Sequence, residues 1–146
     1  MYKIKHIYHT LFAALLLSLS FSSFAEQAKQ FDNLEVHYIA IPSTFLQPDI
    51  AKYYEIKRSK YTGVINISVL DKNNKSAAVA GKISGSGRNL MGQIEQLTFK
   101  EIKEADAIYY IATYPFTNEE IVEFTIKVEA QDKTNTFTFP HKFYVN

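Results

Sequence analysis

The feature that most constrains this chain is a strict alternation of apolar and polar side chains. It is clearest at residues 121–129 (IVEFTIKVE), where every second residue from Val122 onward is apolar and the residues between are charged or polar. Side chains of a β-strand point alternately to opposite faces, so this pattern predicts a strand with one buried face. Residues 34–41 and 61–70 show the same two-residue period. These segments therefore predict antiparallel β-sheets.

Weaker signals complete the secondary structure. Further strands are predicted at residues 77–83, 93–102, 107–114 and 137–145, with turns at 71–75, 84–87, 103–106 and 131–135. Pro48 and Asp49 open the one short helix, predicted at 48–54. Residues 107–114 are apolar on both faces, which indicates a central strand or one covered by another element. Pro140 confines the last strand to a sheet edge or a bulge.

Seven short strands at roughly ten-residue spacing predict an all-β fold. The expected architecture is an immunoglobulin-like antiparallel β-sandwich of about seven strands with one short helix, and a small β-barrel is the alternative. The inward-facing positions predict a core of Val36, Tyr38, Ile65, Ile67, Val69, Leu97, Phe99, Val122, Phe124, Ile126, Phe137 and Phe139.

The N-terminus has the pattern of a secretory signal peptide. Lys3 and Lys5 precede an apolar run at residues 11–21, and the small residues Ser23 and Ala25 precede Glu26. The apolar run is about half the ~20 residues that a membrane-spanning helix needs. We therefore expect residues 1–25 to be cleaved after export, leaving a single domain at 26–146 that is periplasmic or secreted and has no membrane span.

Cysteine content and charge exclude several classes of protein. The chain has no cysteine, so neither a disulfide framework nor a lipid anchor at the leader exit is available. The full chain has 16 Lys and Arg against 15 Asp and Glu, and cleavage would remove two lysines and no acidic residue. Nucleic acids and anionic membranes attract concentrated basic charge, so this near-balance argues against both as partners.

Motifs for catalysis or cofactor binding are absent from the sequence. No nucleophile elbow or comparable motif occurs, so the expectation is a non-enzymatic protein without a cofactor. One alternative is a small hydrolase that uses the turn carboxylates of Glu101, Glu104 and Asp106, or the pair at residues 119–120.

The other chemical alternative is a metal site. His37 and His141 are the only histidines after the leader, and they lie in the first and last predicted strands. If these strands met, the two imidazoles together with Glu35 or Met91 would suit a divalent metal. The spacing of the residues gives no support to this alternative, and structural roles for both histidines are favoured.

Several short motifs in order resemble a known family. They are STFL at 43–46, RSKY at 58–61, NISVL at 66–70, NLMGQ at 89–93 and EADAIYY at 104–110. Together they resemble the domain of unknown function 4426 family, which consists of small exported proteins of gamma-proteobacteria. The resemblance implies a single periplasmic domain with no assigned activity, cofactor or catalytic residue. Within these motifs, Gly92 fits a turn that needs a positive φ.

The aromatic residues suggest where such a domain would bind. Tyrosine suits half-exposed sites, and the mature chain is rich in it. The predicted interaction surface comprises the irregular segments 43–61 and 89–93. The expected partner is a periplasmic protein or an envelope component. Its candidate residues are Phe45, Tyr53, Tyr54, Arg58, Tyr61, Asn66, Asn89 and Tyr109.

Overall fold

Two antiparallel sheets pack face to face in the computed structural model, which describes residues 27–145. The strands of the larger sheet are β1 (Gln27–Phe31), β2 (Leu34–Pro42), β3 (Thr62–Asp71), β4 (Ala77–Ala78), β7 (Lys100–Glu104) and β8 (Ala107–Pro115). Their order in the sheet is β1-β2-β3-β8-β7, and the short β4 pairs with the end of β3 beside β8.

The smaller sheet has the order β10-β9-β5-β6. Its strands are β5 (Lys82–Asn89), β6 (Ile94–Leu97), β9 (Ile121–Ala130) and β10 (Lys133–Lys142). Within the described residues the sheets remain open, so the predicted sandwich is confirmed and the barrel alternative is wrong. Each sheet is built from two separate parts of the chain. β1–β4 and β7–β8 form the larger sheet, and β5–β6 and β9–β10 form the smaller one. The predicted signal peptide lies outside the described residues.

The core lies between the sheets and matches the sequence pattern. Eleven of the twelve predicted core residues are buried, and Phe99 is partly buried against the same cluster. Aromatic rings hold the two layers together: the ring centroid of Tyr38 in β2 lies 4.5 Å from that of Phe139 in β10. Phe124 in β9 contacts Phe139 at 5.3 Å and Tyr114 of β8 at the same distance.

The short helix packs on the outer face of the larger sheet. Helix α1 (Pro48–Tyr53) has proline in its first turn and closely matches the predicted range. Its buried residue, Ala51, packs with Ile56 and Val64, and this small second core covers one end of the outer face. No helix among residues 27–145 combines the length and apolar character that a bilayer crossing requires.

The structure differs from the sequence-based prediction in several elements. The segment predicted as one strand at 77–83 is divided between β4 and β5, which belong to different sheets. The edge strand β1 was not predicted, because four of its five residues are exposed and it carries no apolar alternation. The segment predicted as one strand at 93–102 is divided between β6 and β7, which belong to different sheets.

Another difference is the predicted turn at 84–87, which lies inside β5. Its glycines serve packing: a Cβ atom on Gly87 would lie 2.6 Å from the ring of Tyr114 and 2.9 Å from that of Phe124. Glycine therefore allows aromatic rings to approach the backbone of this strand closely.

Candidate functional site

The outer face of the larger sheet carries a partly apolar cleft. The strand register places Ile39, Asn66 and Ile111 in one row across β2, β3 and β8, and His37 and Ser68 in the next row. Helix α1 covers only one end of this face, which leaves two adjoining hollows open.

We call these two hollows the outer cleft. The hollow next to α1 has a volume of about 320 Å³, and the one towards β4 has a volume of about 550 Å³. Glu104 and Tyr109 line both of them. The remaining lining side chains are mainly aliphatic or small, with Tyr54 and Asn66 in the first hollow and His37, Ser68 and Asp106 in the second.

Tyr54 reaches from the end of α1 to the far side of the cleft. Its hydroxyl donates a hydrogen bond to the carboxylate of Glu104, which stands at the end of β7. This bond stabilises the protonated phenol and raises the pKa of Tyr54 to about 12. The contact joins α1 to the edge strand β7 at the boundary between the two hollows.

Asn66 lines the first hollow and has one unsatisfied polar atom. Its Oδ1 atom is buried and has no hydrogen-bond partner among the described residues. The neighbours of Asn66 in the strand register are the aliphatic Ile39 and Ile111. A buried acceptor without a partner costs about 1–3 kcal/mol, so this position carries a polar group that the fold itself does not use.

The charge of the cleft is acidic. Glu104 and Asp106 contribute its carboxylates, and no lysine or arginine is among its lining residues. Lysines nearby are engaged elsewhere: Lys72 pairs with Glu35 at 3.0 Å and Lys100 pairs with Glu55. The hydrogen bond from Lys72 lowers the pKa of Glu35, with a further contribution from His37. A basic group entering the cleft would meet uncompensated negative charge.

The predicted surface residues fall into three groups. Tyr54, Asn66 and Tyr109 meet in the outer cleft. The neighbouring segment 43–61 exposes Phe45, Tyr53 and Tyr61. Arg58 stabilises this segment by donating a hydrogen bond to the Thr44 carbonyl at 2.9 Å. Asn89 lies apart, in the smaller sheet.

Asn89 has a structural role in the β5–β6 turn. It is 7% exposed, and its Oδ1 atom accepts the backbone N–H groups of Met91 and Gln93 at 3.1 and 3.0 Å. Its amide donates to Gln93 and Glu120 at 2.7 and 3.0 Å. The turn is completed by Gly92 with φ of +82°, as its sequence position predicts.

The two histidines considered as metal ligands lie apart in the structure. His37 lies on the outer face of the larger sheet, where Nε2 is 2.7 Å from Glu35, while His141 packs on Phe143 between the sheets at a ring distance of 4.4 Å. Within residues 27–145 no three His, Asp or Glu side chains are grouped to hold a metal ion. The structure thus separates the two histidines on which the metal hypothesis depended.

The carboxylates separate in the same way. Glu101 and Glu104 lie three residues apart on β7, so their side chains point to opposite faces of the strand. Glu101 accepts a hydrogen bond from Tyr110 at 2.9 Å, and Glu104 accepts one from Tyr54. Glu120 is bound to Asn89 and to the backbone N–H of Thr117. Each of these three groups has a structural partner, whereas Glu104 and Asp106 both line the second hollow.

Sequence reasoning did not single out the aliphatic walls of the cleft. Ile39 and Ile111 lie on the outer rows of strands whose inner rows form the core. The available signal was the two-sided apolar character of residues 107–114, which was interpreted as burial. β8 is indeed central in its sheet, between β3 and β7, and part of its outer face remains uncovered.

Comparisons with known proteins identify a family and several similar solved structures. A family model described as "Domain of unknown function (DUF4426)" matches residues 28–146. The crystal structure of a DUF4426 family protein from Pseudomonas aeruginosa PAO1 is 37% identical, covers 83% of this chain and 96% of that protein, and has a TM-score of 0.74. A search of curated proteins gives no match.

The fold is also similar to that of FetP from uropathogenic Escherichia coli strain F11. The as-isolated FetP, recombinantly expressed in the periplasm, is 12% identical, covers 82% of this chain and 94% of that protein, and has a TM-score of 0.59. A copper-bound variant of FetP is 13% identical, with coverages of 84% and 92% and a TM-score of 0.56. At these identities the likeness concerns the fold alone.

Proposed function

Because this chain belongs to the DUF4426 family of domains of unknown function, we propose a function from its geometry: it is a non-enzymatic binding module that holds an extended segment of a partner protein in the outer cleft. The observation that carries this proposal is the uncovered outer face of the larger sheet, where two adjoining hollows combine aliphatic walls with two carboxylates. Asn66 adds a polar side chain to the first hollow, and its unpartnered Oδ1 atom, which is buried in the free protein, would gain a donor when the amide turns towards a bound partner.

The chemistry of the cleft defines the segment it fits. The aliphatic walls at Ile39 and Ile111 favour an apolar side chain, and Tyr109 adds an aromatic surface. The carboxylates of Glu104 and Asp106 favour a basic side chain in the second hollow. The two hollows adjoin, so a peptide with an apolar residue close to a lysine or arginine matches both.

Copper binding is not transferred from FetP to this chain. The copper belongs to a variant of a protein that is 13% identical. His37 and His141 lie on different sides of the larger sheet, and the described residues contain no group of three metal-binding side chains. The side-chain placement therefore favours the peptide over the metal.

A peptide selection tests the proposal directly. Random heptapeptides displayed on phage are selected on the immobilised protein, and enriched sequences are synthesised and titrated by calorimetry. The expected peptides pair an apolar residue with a basic one. Asn66→Leu is expected to weaken their binding at least about tenfold, because it removes the acceptor.

A matched variant controls for general effects on the sheets. Thr125→Leu makes a similar change on the outer face of β9, in the smaller sheet, and is expected to leave binding unchanged. The proposal would be overturned by the absence of enrichment over the bare support, or by peptides that bind wild type and Asn66→Leu equally.

The proposal includes export of the protein to the periplasm. Its support is the sequence pattern of residues 1–25 and the fold shared with FetP, which was expressed in the periplasm. Intact-mass measurement of protein recovered from the periplasmic fraction is expected to give a chain that begins at Glu26. A full-length mass, or recovery only from the cytosol, would contradict it.

A further inference from the structure

The turn between β5 and β6, in the smaller sheet, carries an exposed apolar patch. Leu90 and Met91 are 81% and 80% exposed, and Ile94 is 61% exposed on the adjoining edge strand β6. Ile121, at the start of β9, lies near Leu90. Exposed aliphatic side chains are common singly, but a contiguous group of four marks an interaction surface.

The turn is held rigidly, which makes its side chains suitable for recognition. Asn89 satisfies two backbone N–H groups of the turn and is itself held by Gln93 and Glu120. Gly92 donates its N–H to the Asn89 carbonyl at 3.0 Å. Binding through Leu90 and Met91 therefore needs little additional ordering of the backbone.

The same patch contains charges of both signs. Arg88 of β5 and Glu123 of β9 are register neighbours on the outer face of the smaller sheet. Their closest atoms are 3.8 Å apart and both side chains are more than half exposed, so the ion pair is loose. Each group is free to meet an opposite charge on another molecule.

A hollow lies beside the exposed tip. It has a volume of about 350 Å³ and is lined by residues that include Leu90, Ile121, Glu123 and Pro140, whereas Met91 does not line it. One patch thus contains both a projecting apolar side chain and an adjacent hollow. It also contains both a cation and an anion, so it is complementary to a copy of itself related by a two-fold axis.

We propose that the hairpin patch, defined as Arg88, Leu90, Met91, Ile94, Ile121 and Glu123, is the interface of a two-fold symmetric dimer of this chain. In it Met91 of each copy enters the hollow of the other, and Arg88 of each copy pairs with the partner's Glu123. The outer clefts lie on the other sheet and stay open, so the dimer offers two of them.

A membrane surface is the competing occupant, and the charges disfavour it. Glu120 holds the turn through Asn89, and Glu123 lies within the patch. Anionic lipid headgroups attract clustered basic residues, and this patch has no such cluster. Co-sedimentation with vesicles of phosphatidylglycerol and phosphatidylethanolamine is expected to leave the protein in the supernatant, and recovery with the vesicles would overturn the dimer proposal.

Sedimentation velocity with charge-reversed variants tests the interface. Wild type is measured between about 5 and about 500 µM, the range in which an interface of modest size associates, and a concentration-dependent dimer is expected. Arg88→Glu and Glu123→Arg are each expected to raise the dimer dissociation constant at least about tenfold, because each places like charges opposite one another across the two-fold axis.

Mixing the two variants separates contacts between molecules from effects within one. In an equimolar mixture the reversed charges are complementary across the interface, so dimers are expected to return although each variant alone stays monomeric. Recovery in the mixture also requires that both variants fold. Lys127→Glu, a charge reversal farther along the same face of β9, is expected to dimerise like wild type.

Several outcomes would overturn the proposal. They are a wild type that stays monomeric over the whole range, variants that dimerise as well as wild type, and a mixture that does not recover. Species larger than a dimer would contradict the closed two-fold arrangement, since open-ended association requires two different surfaces.

Discussion

Replacing Asn66 by leucine should stabilise the domain while removing a binding group. The Oδ1 atom of Asn66 is buried without a partner, and the residues paired with it in the register are Ile39 and Ile111. Leucine has the same branching at Cγ and presents a methyl group where the unsatisfied oxygen lies. The cost of such an oxygen is about 1–3 kcal/mol, so Asn66→Leu should raise the free energy of unfolding by about that amount.

The increase should be large enough to measure by thermal unfolding. For a domain of this size, a change of 1 kcal/mol moves Tm by roughly 4 °C, so a rise of roughly 4–12 °C is expected. Circular dichroism on heating and urea titration should agree in sign. Thr125→Leu, on the exposed face of the smaller sheet, removes no orphaned buried oxygen and should change stability by less than about 0.5 kcal/mol.

An unchanged or lower Tm for Asn66→Leu would refute this reasoning. It would show that Oδ1 meets a partner in solution, such as an ordered water, whose loss cancels the gain. A rise in Tm together with loss of peptide binding would show that the position is kept polar for recognition at the expense of stability.

Three other substitutions test the fold. Phe124→Ala should lower the free energy of unfolding by about 3–5 kcal/mol, since its ring is fully buried between the sheets; an unchanged denaturation midpoint would mean that the inner face is assigned wrongly. Ser43→Ala should cost about 1–3 kcal/mol in a urea titration, because Ser59 loses the partner of both its N–H and its carbonyl; a variant as stable as wild type would contradict this. Burial lowers the pKa of His141, so below pH 6.5 the unfolded chain binds a proton that the folded protein does not, and the wild type loses stability as the pH falls. His141→Phe removes this group and should therefore lose less stability over the same pH range. Equal pH dependence of Tm in both proteins would disprove that assignment.

The sequence predicted the fold where one face of each strand is buried. At residues 121–129 the inner positions are fully or almost fully enclosed, and the alternation in the sequence is the direct record of that burial. The same holds for residues 34–41, because β2 lies between two other strands with its inner row against β10. Burial of one strand face requires apolar residues at every second position, so this alternation in the sequence predicts which face is buried.

The sequence was less informative where backbone pairing or close packing determines the structure. β1 is held by its hydrogen bonds to β2, and these leave no trace in exposed polar side chains. In β5, serine and glycine alternate as in a turn, although Gly87 is there to make space for Tyr114 and Phe124. A glycine kept for space and a glycine kept for its φ angle look the same in a sequence.

The candidate site required three-dimensional information. Tyr54 was predicted as a surface residue, yet its contact with Glu104 joins positions fifty residues apart. Asn66 was noticed as a polar residue in a strong strand, but its missing hydrogen bond is visible only once its neighbours are placed. Composition and periodicity describe the faces of single elements, whereas a cleft is formed between several of them.

The order in which the chain visits its sheets has a consequence for how the protein reaches its native state. β5 pairs with β9 and β3 pairs with β8, so neither sheet has its central strands until the second half of the chain is present. A polypeptide that emerges N-terminus first, from a ribosome or a translocation pore, cannot complete the larger sheet before residue 115 or the smaller sheet before residue 142 has appeared. Folding of this domain must then follow its synthesis or passage across a membrane, and a product truncated before β8 and β9 would leave one edge of β3 and one edge of β5 unpaired.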